Sequence, residues 1–267
     1  MPSQIYVKGK LPNKRVPAVA IIGSRKPTSY GEAVTHQLAY ELAKQGIVIV
    51  SGLAYGIDAI AHKAALEAGG VTIAVVAQGL HRVYPAAHAG LAEQIILAGG
   101  AIISEQAMGV EARKSHFLAR NRIVSGIADA VIITEATERS GTVSTVAHAL
   151  SQNKEVFAVP GPITSLLSAG PNRFLQQGAH LVTRTHDIIE VIAPQLLTKQ
   201  KGRQAQLPLP STPVEASILE QIQQGISDID MLIDTLSTAP HEILQAITMM
   251  ELNGVIKVVA GKIILTK

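Results

Sequence analysis

The chain has 267 residues, a formal net charge of +3 and neither cysteine nor tryptophan, which is length enough for one large domain and one small one. Lack of cysteine excludes disulfides and thiolate chemistry, no apolar run approaches the roughly 18 residues of a membrane-spanning helix, and Met1 leads into polar residues rather than a secretion signal, so a cytoplasmic protein without membrane insertion is the simplest expectation. Charge is uneven: residues 214–267 hold seven acids against three lysines, a net −4 that leaves +7 for residues 1–213, so a polyanion is expected on the large domain.

Gln4–Gly9 reads as a short apolar segment and Lys10–Pro17 as a basic turn. The next stretch, AVAIIGSRKPTSYG from Ala18 to Gly31, ends an apolar run in Gly-Ser-Arg and opens a helix. Apolar residues without polar alternation indicate a strand buried on both faces. At its exit Gly23 permits a tight turn, Ser24 offers a hydroxyl and Arg25 a cationic fork. Thr28 or Ser29 can cap a helix whose first amides face the loop. Phosphate suits such a loop; an ordinary turn with a solvated arginine is equally open.

A helix over Tyr30–Gln45, ended by Gly46, leads to a strand over Ile47–Val50. The exit of that strand, SGLAYGIDAIAHKAAL, again gathers small residues, Gly52 among them, before a helix over Ile57–Ala68. Further strands are predicted over Val71–Ala77, Ala101–Ser104, Ala130–Thr134, Glu155–Pro160 and Ala179–Val182. Helices are predicted over Ala87–Ala98, Phe117–Ile127, Val143–Ser151, Asn172–Gln177 and Asp187–Ile192. This alternation predicts an α/β, Rossmann-like domain over residues 1–197 with an open parallel sheet, its polar strand ends sharing one ligand-binding edge. Residues 198–213 carry cations and prolines with no apolar period and read as a linker. Beyond it, helices over Val214–Gln224, Ile229–Leu236 and Pro240–Leu252 and a hairpin turning at Gly261 predict a winged helix over residues 214–267.

Gly109–Gly126 is the second informative stretch, with Arg113, Lys114, Arg120 and Arg122 against the single acid Glu111. A helix points the consecutive Arg120, Asn121 and Arg122 in different directions, which sends one arginine inward or along the sheet edge and the other outward. Phe117 lies three residues from both Lys114 and Arg120, as a base-stacking ring among cations does; a core phenylalanine is equally open. Ser140-Gly141-Thr142 opens a helix after the fifth strand and is another amide-rich loop.

The i, i+4 pair Asp58 and His62 is expected to form a hydrogen bond on a helix surface rather than half of a metal site. Glu105 and Glu135 end strands and are expected to accept loop amides rather than act as paired catalytic carboxylates. His81, His88, His116 and His148 lack metal-ligand spacing. With no G-x-G-x-x-G after the first strand and no P-loop lysine, no cofactor is expected.

Taken in order, IYVKG, IIGSRKPTSYG, SGLAYGIDAIAH, GLHRVYPAAH, GAIISE, FLARNRIVSGIADAVIITEA, SGT and EVFAVPG resemble the DprA (Smf) family of DNA-processing proteins over nearly the whole chain. The resemblance implies an extended Rossmann domain that binds single-stranded DNA, forms a homodimer and loads a RecA-type recombinase in natural transformation. The family's basic pocket maps onto Arg25, Lys114 and Phe117. Together with the residues read above, the expected nucleic-acid interface is Gly23, Ser24, Arg25, Gly52, Lys114, Phe117, Arg120, Asn121, Arg122, Ser140 and Gly141, with no catalytic residue. Many family members carry a further N-terminal helical domain that this sequence does not show, which implies a short form or a truncated chain. His81 stands where aspartate is common, and Val143-Ser144 replaces a more usual Leu-Ile pair.

The acidic winged helix is expected to contact protein or regulate rather than hold DNA. A duplex-binding regulator acting through that domain is disfavoured for the same reason. The other alternative is an enzyme of the nucleoside-monophosphate phosphoribohydrolase type, which resembles this sheet and places a P-G-G-x-G-T-x-x-E motif after a strand. Gly141-Thr142 fits that motif, but Thr145 occupies the place of the glutamate and Pro-Gly-Gly is missing.

Overall fold

The computed structural model describes residue 2 and residues 4–201, 212–253, 255–259 and 261–265. The chain divides into two compact units, Met1–Leu197 and Thr198–Lys267. In the first, eight strands form one sheet: β1 (Tyr6–Gly9), β2 (Ala18–Ile22), β3 (Val48–Ser51), β4 (Thr72–Val76), β5 (Ala101–Ser104), β6 (Ala130–Ile133), β7 (Glu155–Ala158) and β8 (His180–Leu181). The helices are α1 (Ser29–Lys44), α2 (Ile57–Glu67), α3 (Ala89–Leu97), α4 (Lys114–Ile127), α5 (Gly141–Ser151), α6 (Ala169–Gln176), α7 (Thr185–Ile192) and α8 (Pro194–Lys201). Strand order is β1-β5-β4-β3-β2-β6-β7-β8, with every pair parallel except β1 against β5.

The apolar runs explain the layering. On β2, Val19 and Ile21 pack on one face with Leu38 and Leu42 of α1 and Ala61 of α2. Ala18, Ala20 and Ile22 pack on the other with Ile123 and Val124 of α4 and Val146 of α5. Each valine, leucine or isoleucine among them contributes about 1.5–3 kcal/mol on burial, and the Ala20–Val131 pairing with β6 keeps both sets in place. Leu91 and Ile95 of α3 extend the first layer over Ala74, Val76 and Ile102.

Two elements differ from the sequence reading. Tyr6–Gly9, read only as an apolar segment, is an antiparallel edge strand in register with β5, Tyr6 opposite Ser104; four residues are too few to show a period. The expected linker begins inside α8, which runs to Lys201; Pro194 stands first in that helix, where its missing N–H costs nothing. The rest of the expected linker, residues 202–211, lies outside the described residues.

The second unit holds α9 (Pro213–Gln223), α10 (Ile229–Thr235) and α11 (Pro240–Leu252) with the hairpin β9 (Ile256–Val259) and β10 (Lys262–Leu265). Its own core includes Ile218, Leu232, Ile243, Ile247, Met250 and Ile263. Asp228 caps α10 by accepting the amides of Asp230 and Met231. Three helices and a hairpin make the winged helix that the pattern predicted.

Candidate nucleic-acid interface

The order of strands puts a crossover at β2, because the chain leaves β2 towards β3 and later returns to its other side at β6. Open parallel sheets bind ligands at such a point, beyond the carboxyl ends of the strands. Here Glu135, just after β6, braces the exit of β2. Its carbonyl accepts from Ser24 N at 2.6 Å, and its carboxylate accepts from Thr28 N at 2.8 Å and Thr28 Oγ1 at 2.5 Å. The amide role expected of Glu135 is therefore the one it has. A Cβ on Gly23 would collide with Ile57 and the Glu135 carbonyl, and one on Gly31 with the Glu135 carboxylate, so both glycines are set by this brace.

Beside the brace lies a cavity of about 670 Å³. Ten of the eleven expected residues line it: Gly23, Ser24, Arg25, Gly52, Lys114, Phe117, Arg120, Asn121, Ser140 and Gly141. Arg25 and Lys114, on separate elements, thus face one space. Arg25 Cζ sits 5.5 Å from the centre of the half-buried Phe117 ring, within cation–π reach. Tyr84 meets the same ring edge-on at 5.9 Å. Asn121 Nδ2 donates to the Gly141 carbonyl at 3.2 Å and ties α4 to the start of α5. There Ser140 Oγ is buried with no partner among the described residues, beside the first amides of α5 at Gly141 and Thr142, a combination that favours an anion.

Arg122 is the residue left out. It turns away to pair with Glu105 at 2.5 Å, so Glu105 serves an arginine rather than the loop amides expected of it. Tyr84 is the aromatic lining residue that sequence reasoning missed; the available signal was a ring set in the turn-forming stretch between Gly79 and Ala86.

Asp58 and His62 are not a surface pair. Both are buried, because α2 carries apolar residues nearly all round and has no solvated side there. Asp58 Oδ2 accepts from the amides of Gly52 and Ala54. Burial raises its pKa, and the nearby Arg120 together with these amides opposes that rise. Arg120 is itself buried, its Nη1 donating to the Val75 carbonyl at 2.7 Å. A Cβ at Gly52 would overlap its guanidinium, so the glycine makes room for the arginine.

His62 Nδ1 lies 2.6 Å from Thr72 Oγ1, whose own proton goes to the Ile49 carbonyl. The ring nitrogen therefore donates, and Nε2 is buried with no partner among the described residues. Burial, and then His88 and Arg120, lower the His62 pKa from 6.5 to about 3. Because the folded state refuses a proton that the unfolded chain accepts below pH 6.5, stability from this group is present above that pH and lost towards pH 3. The expected slope is roughly 1.4 kcal/mol per pH unit in that window. Urea unfolding of His62→Gln and the wild type at pH 7 and pH 4.5 measures it; the wild type should lose more on acidification, and equal losses would clear His62 of the effect.

Among the described residues, no cluster of three or more histidines and acids is placed to hold a metal ion, and no helix is long and apolar enough to cross a membrane.

The model of the family DNA recombination-mediator protein A matches residues 1–193, and that of the DprA winged helix domain matches residues 202–262. The chain belongs to the DprA family. It is similar to Protein Smf of Escherichia coli K12, 36% identical over 270 residues that cover 97% of this chain and 71% of that protein. The X-ray structure of DprA from Streptococcus pneumoniae matches with a TM-score of 0.66 and 39% identity over 70% of this chain and 66% of that one. The structure of DNA processing protein A from Helicobacter pylori, described for its single-stranded DNA binding mode, matches with a TM-score of 0.65 and 36% identity over 74% of this chain and 88% of that one. The chain thus spans about two thirds of the first two relatives.

Within this DprA fold, the positions that the resemblance singled out, Arg25, Lys114 and Phe117, all line the cavity. Thr145, in the place of the phosphoribohydrolase glutamate, lines it too and is buried. Asp58 is the one carboxylate among the lining residues, and it is held by backbone amides.

Proposed function

We propose that this DprA-family chain binds single-stranded DNA without catalysis, its sugar-phosphate backbone lying across the carboxyl edge of the sheet. The observation that carries this reading is that Arg25 and Lys114 face one cavity around Phe117. Phosphates are assigned to the Ser24–Arg25 loop and to Ser140 at the start of α5, and a base to the Phe117 ring. Arg120 is then a buried support rather than a phosphate contact, and Arg122 lies outside the path. The binding mode described for the Helicobacter pylori relative supports the same class of ligand.

In this reading the domains are residues 1–197 for DNA and 214–267 for a protein contact, joined by 198–213. The chain works in the cytoplasm as a homodimer that protects incoming strands and loads a RecA-type recombinase in natural transformation. The +7 of residues 1–213 against the −4 beyond them assigns DNA to the first domain.

Titration of an unstructured oligonucleotide at several salt concentrations tests the reading. The logarithm of affinity should fall against that of salt with a slope of roughly −0.7 for each phosphate neutralised, near −2 for about three. Binding indifferent to salt, or release of free base from nucleoside monophosphates, would overturn it. Deletion of residues 198–267 should leave this slope unchanged.

A further inference from the structure

The chain has five tyrosines and no tryptophan. Three of the five are exposed, Tyr30 at 45%, Tyr55 at 50% and Tyr84 at 49%, and all three stand at the carboxyl edge of the sheet. Tyr30 is the second residue of α1, Tyr55 lies between β3 and α2, and Tyr84 precedes α3 after β4. Those segments follow three neighbouring strands, β2, β3 and β4, so the rings are spread across the edge rather than gathered at one point. Tyr6 and Tyr40, elsewhere in the domain, are half-buried.

Tyr84 already belongs to the cavity. Tyr55 does not line it, although its neighbour Ala54 does, which puts Tyr55 just outside the mouth. Its ring is not loose. His88 meets it edge-on, with ring centres 4.9 Å apart, and His88 Nδ1 is hydrogen-bonded to the Leu53 carbonyl at 2.9 Å. An exposed aromatic ring braced by a fixed neighbour can accept a stacked base at little further cost in ordering.

We infer that Tyr55 is a second stacking platform, which carries the strand beyond the cavity towards the β3 and β4 side of the edge. The inference rests on the single-stranded DNA reading and extends it. The nucleotides around Phe117 fill the primary subsite, and an adjoining base lies on Tyr55. His88 positions that ring without touching the DNA.

A length series of oligothymidylates, titrated against the wild type, Tyr55→Ala, Tyr55→Phe and Arg25→Ala, tests it. Tyr55→Ala should leave the shortest oligomers at wild-type affinity and weaken longer ones by roughly 5- to 150-fold, whereas Tyr55→Phe restores the long oligomers. Because tyrosine is the strongest emitter in a chain without tryptophan, quenching on binding reports the same contact. Tyr55→Phe should remove part of the quench that long oligomers produce. If Tyr55→Ala matches the wild type at every length while Arg25→Ala weakens binding throughout, the platform is wrong and the primary site stands. If Tyr55→Ala weakens even the shortest oligomers, Tyr55 lies inside the primary subsite and the extension fails. If Arg25→Ala also has no effect, the reading beneath the inference fails with it.

Discussion

Phe117→Ala is expected to weaken binding of an unstructured oligonucleotide by about 1–3 kcal/mol, roughly 5- to 150-fold, while leaving the domain folded. The side chain is half-buried and belongs to none of the hydrophobic core clusters, so its removal opens no core cavity. Arg25→Ala should lose a comparable amount and also take about 0.7 from the salt slope, since it removes one neutralised phosphate. The two losses should not add. Arg25 sits 5.5 Å from the Phe117 ring centre, so each side chain helps to hold the other, and the double variant should fall short of the sum by about 0.5–1 kcal/mol. Strict additivity in such a cycle means the cation and the ring act independently. A Phe117→Ala protein that melts many degrees early would make the ring a packing residue instead.

The site's partition into inward and outward arginines follows from helix geometry. Residues 120 and 122 are about 200° apart around a helix, so one must turn in when the other turns out. Which one does so the sequence reading left open; in the structure Arg120, three and four residues before the buried Ile123 and Val124, shares their face. The parallel sheet was plain, since strands with apolar residues on both faces have few other homes. Asp58 and His62 were misplaced because polar type outweighed their setting; Ile57, Ala59, Ala61, Ala64 and Ala65 surround them with buried apolar neighbours. Tyr84 depended on how the β4 exit folds back over α4, and no local period encodes that. The same holds for Glu105, whose partner Arg122 comes from a separate element.

Arg120→Met is expected to destabilise the first domain by about 3 kcal/mol, roughly 6–12 °C in Tm for a domain of this size. Arg120 is 7% exposed, and loss of its guanidinium takes a donor from the Val75 carbonyl and leaves Asp58, 8% exposed, without its nearby positive charge. Burial already raises the Asp58 pKa and Arg120 opposes the rise, so in the variant the carboxyl gains protons more readily than in the unfolded chain. A group raised in this way adds stability below its unfolded pKa and loses it as pH climbs through the folded value. The cost of Arg120→Met should therefore be smaller at pH 5 than at pH 8. Adding Asp58→Asn should recover part of the loss at pH 8 and flatten its pH dependence, since a neutral amide needs no countercharge. Chemical unfolding of the three proteins at both pH values separates charge from shape: a loss that ignores pH, and that Asp58→Asn deepens, would show that Arg120 supports the Gly52 loop by packing alone.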